Sequence, residues 1–528
     1  MRNNIGLYLA KRAHLNPDME AVVDTATGRR LSFLEVDRGA NRVANAIADL
    51  GIKKGDRVAI LLMNSIEYVE CFMGLAKIGA VVVPLNWRLV RDELSHILKD
   101  AGAIALIYGS DFSDVVASLH DGGGAATDDA TDDATEDATD IQHWIEFCED
   151  GHARDSFATD YGAFTGQASA TAPETGAGDD DDLFIMYTSG TTGLPKGALH
   201  THNTMTWAII TFTTTTDIRY RDRYSIALPM FHIGALLPVM FTIYSCGTVF
   251  LLRQFDAKLM WEITEAEKIT TSLAVPAMLN FMLMVPDFQR YDVSSLRSIL
   301  SGAAPVPVTL IEKYKDIGIE IHQAYGLTES GGPGTVLSPD DAMVKIGSAG
   351  KGFFHTSIRV VDEDGNDCAP GVPGELLVQA AHVMKSYWNN PEATAETIRD
   401  GWLHTGDIAF QDADGFITIH DRVKDMIISG GENVYPAELE NVITSHDGVA
   451  DVAVIGQDSE RWGESPFAVV VRGDKNLTEG DILQHCDGKL ARFKQPKGVA
   501  FIDEIPRNPT GKPLKRLLRE QFPGPAPD

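Results

Sequence analysis

A chain of 528 residues with 44% hydrophobic residues is too long for a single core and too apolar for a disordered protein, so at least two packed domains are expected. The formal charge of −30 disfavours nucleic acid as a partner, because neutralising phosphates requires a basic face. Five cysteines, Cys71, Cys148, Cys246, Cys368 and Cys486, none spaced as C-x-x-C, argue against a disulfide framework or zinc site and for a reducing cytoplasm.

The N-terminal stretch MRNNIGLYLAKRAHLNPDME has no apolar run long enough for a signal peptide. FLEVDRGANRVANAIADLG places Val43, Ile47 and Leu50 on one helical stripe. DRVAILL follows as a buried strand, YVECFMGLAKIGA as a helix and VVVPLN as a second strand. DELSHILKDAG with AIALIYG repeats the cycle. Strands alternating with helices predict a mostly parallel sheet covered by helices. Residues 121–140 form an acidic low-complexity insert, expected to be solvated and without fold. The run GAGDDDD, which ends at Asp182, is read the same way. Residues 121–140 hold eight acids and residues 174–182 five, Glu174 and Asp179 to Asp182, with no Lys or Arg, and the rest of the chain still carries −17. The acidity is therefore spread widely, which fits a salt-adapted protein kept soluble by its charge.

LFIMY then reads as a strand that runs into TSGTTGLPKG, Thr188 to Gly197. Thr188, Ser189, Thr191 and Thr192 offer hydroxyls there, Gly190 and Gly193 let backbone N–H groups approach an anion, and Lys196 adds a positive charge. It is not a Walker A loop: counted from Gly190, the second glycine position is Pro195 and the Ser/Thr position is Gly197. Between Arg223 and Arg253 no charged residue occurs, but Pro229, His232, Gly234, Pro238 and Gly247 interrupt the run. Strand, loop, helix and strand are expected there in place of a membrane span.

QAYGLTES, Gln323 to Ser330, ends a predicted strand, where ligands of open α/β sheets gather. Tyr325 there can stack on a base, Thr328 can bond a phosphate oxygen, and Glu329 is a hard ligand of the sort Mg²⁺ accepts. GWLHTGD ends at Asp407, expected to close a tight turn and accept the hydroxyls of a ribose. Taken singly, these motifs also fit a surface turn, a helix-opening acid and an Asx turn. From about Met426 the pattern changes to a compact α+β unit. It predicts a helix and strand in PAELENVITSHDGVADVAVIG, a strand in SPFAVVVRG, and a helix opened by Thr478. A strand in KGVAFIDEI and a last helix in KPLKRLLREQF complete it. Lys512 stands in the loop PRNPTGKPLKR before that helix.

YTSGTTGLPKG, YGLTE, GWLHTGD, DRVKD and PTGK in this order resemble the adenylate-forming superfamily, over about residues 5 to 520. Within it the chain looks like a fatty-acyl-CoA synthetase, by VPLNWRL, LPMFHIGAL and SGGENVYPAELE, and its acidity fits a halophilic archaeal source. The resemblance implies an α/β fold. A large N-terminal domain of helix-covered, mainly parallel sheets, residues 1–423, would carry a small mobile α+β domain, residues 424–528. It implies that Thr188 to Lys196 hold the β- and γ-phosphates of ATP. Gly302, Ala303, Ala304 and Pro305 would line the adenine with Gln323, Tyr325 and Gly326. Thr328 would touch the α-phosphate, Glu329 would bind Mg²⁺, and Asp407 would hold the ribose with Arg422 nearby. Lys424 would be the hinge, Lys512 the lysine of the first half-reaction, and Gly430 and Gly431 the border of the pantetheine tunnel of coenzyme A. His232 would gate the acyl site. Small residues around it, Gly234, Ala235, Gly302 to Ala304 and Ser330 to Gly334, leave room for a medium or long chain, with an aryl acid or transfer to a carrier protein as alternatives. The partners expected are small molecules, with no nucleic acid and no membrane span; a homodimer is compatible. Ser386 and Asp421 stand where the family usually has glycine.

Overall fold

The structure is a computed structural model. It describes residues 3–122, 139–148, 152, 154–188, 195–302, 306–342, 344–345, 347–422, 425, 427–429, 432–434, 436–459, 463–487, 489–490, 492, 494–507 and 513–524. Most of the acidic insert, residues 123–138, lies outside them.

Hydrophobic period explains the layers. In the strand Arg57–Leu61, Val58 and Ile60 join one core cluster while Ala59 and Leu61 join another on the opposite face. The neighbouring strand Ala103–Gly109 divides in the same way, Ala105 and Ile107 to one side and Leu106 and Tyr108 to the other. These two strands pair in parallel, as do Val81–Pro84 and Arg57–Leu61, within an eight-stranded sheet. A nine-stranded sheet runs in parallel from Glu20–Asp24 through Thr248–Leu251, Arg223–Ile226, Thr271–Leu273 and Ser298–Ser301 to Glu320–Tyr325.

Helices Phe33–Asp49, Ile66–Ile78 and Ile233–Tyr244 lie between the sheets. One cluster joins their Val36, Phe72 and Leu236 to Val22 and Val249 of the nine-stranded sheet and to Val58 and Phe184 of the eight-stranded one. The first of these helices is opened by a reciprocal cap: Glu35 N–H donates to Ser32 Oγ, and Ser32 N–H to Glu35 Oε2. The uncharged run after Arg223 resolves into the strand Arg223–Ile226, the helix Ile233–Tyr244 and the strand Thr248–Leu251, as its sequence predicts. Among the described residues no helix is long and apolar enough to cross a membrane.

A third, antiparallel sheet of five strands holds Trp402–Gln411 beside Gly374–Gln379 and ends with Ile417–Arg422. The next strand, Ile427–Ser429, belongs to a different five-stranded sheet, with Val449–Ser459, Gly463–Arg472 and Gly498–Ile502. That sheet has its own core: Leu439, Val454, Val470 and Ile482 pack together. The chain is thus α/β, with a large N-terminal part and a smaller C-terminal α+β unit. Thr478 caps the helix Glu479–Cys486 as its sequence predicts, accepting from Asp481 N–H.

The run Asp179–Asp182 corrects an expectation. It is ordered, and its acids are engaged. Asp179 accepts the N–H of Asn3, Asp181 pairs with Lys54 at 2.7 Å, and Asp182 pairs with Lys385 at 2.6 Å. Composition alone cannot separate a solvated acidic run from one whose cations come from distant segments.

Candidate active site

The carboxyl ends of three strands, Asp182–Thr188, Ser298–Ser301 and Glu320–Tyr325, hold Thr188, Gln323 and Tyr325, with Gly302, Gly326, Thr328 and Glu329 just beyond. Antiparallel pairing of Asp182–Thr188 with Lys196–Thr201 sets Thr188 opposite Lys196. Thr188 Oγ1 lies 3.4 Å from Glu329 Oε1, so the two motifs meet although 141 residues separate them. Tyr387 donates its hydroxyl to the same carboxylate oxygen at 2.9 Å, and the ammonium of Lys196 sits 5.2 Å from the Tyr387 ring centroid. Sequence reading missed Tyr387. Its signal was MKSYW, read only for Ser386; the strand Ser386–Tyr387 pairs with Leu199 and Ala198, so Ser386 is extended backbone that needs no glycine.

Among the described residues Glu329 meets hydroxyls and pairs with no cation, and no three His, Cys, Asp or Glu gather as a metal cage. That fits Mg²⁺, which takes one or two carboxylates and completes its shell with water and substrate phosphates.

The backbone under Glu329 is held at three consecutive carbonyls. His200 Nε2 donates to Thr328 O at 2.8 Å, Met384 N–H to Glu329 O at 2.8 Å, and His382 Nδ1 to Ser330 O at 2.7 Å. Both imidazoles are fully buried, and burial pushes each pKa down to about 4, so both are neutral near pH 7. Because a carbonyl only accepts, the tautomers are opposite. His200 Nδ1 is left to accept from Thr204 at 3.2 Å and His382 Nε2 from Thr356 at 2.8 Å.

Tyr325 and Asp407 meet directly, the phenol donating to Asp407 Oδ2 at 2.6 Å. Asp407 does not close a tight turn. It lies inside the strand Trp402–Gln411, where Thr405, Gly406 and Asp407 together face Leu376 in a bulge. Gly406 takes φ +68°, and its N–H donates to Glu375 Oε1 at 3.0 Å, which re-aims the following Asp407. Arg422 stands opposite Asp407 in the strand register. Gln323 is a brace: its Oε1 accepts from Val306 N–H at 2.8 Å, and its amide donates to Ser348 O at 2.6 Å. Thr328 and Gly326 follow it in the turn, and Gly326 packs so closely on Gly332 that a Cβ would come within 1.6 Å of that carbonyl.

On the other side, Asn64 holds the loop before His232. It donates to Leu228 O at 2.9 Å and accepts from Met230 N–H at 2.9 Å. His232 stands at the N-cap position of the helix Ile233–Tyr244 without a side-chain cap bond, and burial pushes its pKa down to about 3. Its Nε2 is buried and, among the described residues, has no hydrogen-bond partner. The small residues nearby do not share one purpose. A Cβ on Gly302 would lie 2.7 Å from Ala324 O, and one on Gly332 2.8 Å from Leu237, so both glycines permit close packing. Gly234 alone of these three borders open space, and Pro238 leaves its carbonyl without the usual helical N–H donor.

Ser189, Gly190, Thr191, Thr192, Gly193, Ala303, Ala304, Pro305, Lys424, Gly430, Gly431 and Lys512 lie outside the described residues, as does the side chain of Arg422.

Known proteins resemble this chain over nearly its whole length. Residues 9–388 match the model of the AMP-binding enzyme family, and residues 438–512 match its C-terminal domain. The chain is 44% identical to the long-chain-fatty-acid–CoA ligase FadD13 of Mycobacterium tuberculosis, over 98% of each chain. It is 39% identical to a feruloyl-CoA synthase of an Amycolatopsis species, over 99% of this chain and 100% of the other. Among solved structures, the anthranilate CoA ligase AuaEII in complex with anthranoyl-AMP superposes with a TM-score of 0.90 at 26% identity, covering 99% of this chain and 98% of that one.

Proposed function

The chain belongs to the AMP-binding enzyme family, and from that membership we propose that it joins a medium- or long-chain fatty acid to coenzyme A through an acyl-adenylate, releasing AMP and pyrophosphate. The observation that carries this is the meeting of Thr188, Lys196 and Glu329 at one end of the sheets, with Tyr325 and Asp407 paired beside them. The aryl acids named for two relatives support a second reading, an aryl-acid CoA ligase.

The chemistry asks for these residue types. A carboxylate must attack the α-phosphate of ATP, an anion meeting an anion, so the barrier is largely electrostatic. Lys196 and the hydroxyls around it would hold the outer phosphates, and Thr328 the α-phosphate. Glu329 would hold Mg²⁺, which supplies positive charge against the phosphate oxygens. Tyr325 would stack on the adenine while Asp407 takes the ribose hydroxyls. His232, neutral and with a free buried nitrogen, would face the acid. The thiol of coenzyme A then attacks the anhydride carbonyl. We place the domain boundary at 423/424, where the chain leaves one sheet for another, with Lys424 as hinge and Gly430 and Gly431 beside the thiol path.

Glu329→Gln tests the site. An amide is a poorer ligand for a hard cation, so the apparent Mg²⁺ requirement of pyrophosphate exchange should rise. An unchanged Mg²⁺ titration would leave Glu329 a turn residue only. CoA-dependent AMP release across a panel of fatty and aryl acids decides the substrate.

A cytoplasmic enzyme is proposed from the cysteine usage, and salt adaptation from the charge of −30. Its activity should hold or rise above physiological ionic strength, and an optimum below it would reject salt adaptation.

A further inference from the structure

We propose that His200 and His382 are positioning residues for adenylate formation: two imidazoles in opposite tautomers clamp the carbonyls on either side of Glu329 and so fix the turn that presents Thr328 and Glu329. This rests on the assignment of those two side chains to the nucleotide. The clamp is assembled from three distant places. His200 comes from the strand Lys196–Thr201, and His382 from the segment between Gly374–Gln379 and Ser386–Tyr387. The donor between them is Met384 N–H. Three consecutive carbonyls point back into protein, each with its own donor.

A turn with all three carbonyls tied has little freedom to rotate its peptide planes, so the side chains on its other face keep their aim. The same elements carry the groups that face the phosphates. Lys196 opens the strand that holds His200, and Tyr387, which donates to Glu329, follows His382 and Met384. Each ring is also fixed from behind, His200 by Thr204 and His382 by Thr356. Behind the turn, a Cβ on Gly331 would lie 2.7 Å from His382 O and 3.4 Å from His200 Cε1, so the clamp closes tightly on the chain.

The opposite tautomers give a crossed test. The amide nitrogen of Gln reaches where an imidazole Nε2 lies, and that of Asn reaches where Nδ1 lies. His200→Gln should therefore outperform His200→Asn, and His382→Asn should outperform His382→Gln. The mismatched amide at each position should slow pyrophosphate exchange by about tenfold to a hundredfold, the cost of an ångström-scale misplacement of a positioned group. It should also raise the Mg²⁺ requirement and leave the KM for the acid unchanged. A residue that only fills space would show the same order of amides at both positions, and that result, or full activity in all four variants, overturns the clamp.

Glu329→Gln is measured beside them. If it leaves rate and Mg²⁺ titration unchanged, the nucleotide assignment fails; if it impairs both while the amides show no crossed order, the clamp alone fails. Histidine-selective isotope labelling of the wild-type chain adds a test that needs no variant to fold. Its nitrogen spectra should show His200 protonated on Nε2 and His382 on Nδ1, and one tautomer for both overturns the proposal.

Discussion

Lys512→Ala should lower acyl-adenylate formation by about a hundredfold to a thousandfold, the usual cost of removing one preorganised group aimed at developing charge. Thioester formation from supplied acyl-adenylate should survive. Lys196 would bring a positive charge to the proposed phosphate site, on the side of Tyr387 and Glu329. In the function proposed above the carboxylate would arrive near His232, and a cation would be needed there as well. By resemblance that cation would be Lys512, which follows the C-terminal unit's strands in the sequence. A group required only for the first step can leave before the second, so the two half-reactions should separate cleanly. Lys424→Pro adds the complementary arm. Proline fixes φ near −65°, so a hinge at this position would hold only one arrangement, whereas Lys424→Ala keeps rotation. Pyrophosphate exchange and acyl-CoA formation, measured for all three variants, decide the matter. Equal damage to both half-reactions by Lys512→Ala would remove it from the first step. Parallel loss of both in Lys424→Pro, with folding intact, would remove the hinge.

The layered fold was legible because its information is local. Alternation in Arg57–Leu61 and Ala103–Gly109 and the stripe in Phe33–Asp49 are periodicities that a window of ten residues contains. The motifs around Thr188 and Glu329 were legible as chemistry, but not the distance between them, which depends on strand order. What stayed hidden depends on register and on close approach. The bulge that turns Asp407 exists only against Glu375–Leu377, in another strand. Gly302 and Gly332 looked like room for an acyl chain and are instead contacts with Ala324 and Leu237. A glycine in a sequence does not say whether its missing side chain leaves a void or admits a neighbour. His200 and His382 looked ordinary because their partners lie 128 and 52 residues away.

Acid should destabilise the large N-terminal part as pH falls below about 6.5. His200, His202 and His382 are fully buried, and burial holds the pKa of each down at about 4, from 6.5. The unfolded chain binds these protons near pH 6.5 and the folded protein does not until about pH 4, so the unfolded state gains as pH falls through that window. The stability these groups contribute is present above pH 6.5 and is lost on the way down. Each loses roughly 3 kcal/mol of stability by the acid end, since one pKa unit is about 1.4 kcal/mol. Three together approach the whole stability of an ordinary domain, about 5–15 kcal/mol. An opposing effect has to be weighed. The charge of −30 repels itself at neutral pH, and protonating surface acids relieves that. Burial also pushes the Glu70 carboxyl up to about 8, so its contribution to stability grows as pH falls from there. That one group opposes three imidazoles, and the surface self-repulsion is screened by salt, so between about pH 6.5 and 5 the histidines decide the sign. His202 offers the cleanest test, because its Nδ1 accepts the N–H of Ile5 at 3.1 Å and cannot be protonated without losing that bond. His202→Asn keeps an acceptor at the Nδ1 position and does not titrate. Thermal melts of wild type should show Tm falling from neutral pH to about pH 5. In His202→Asn the fall should be shallower, whatever the absolute Tm. A Tm that is flat or rising over this range in wild type, or an identical slope in the variant, would show that these imidazoles are not held neutral by the fold.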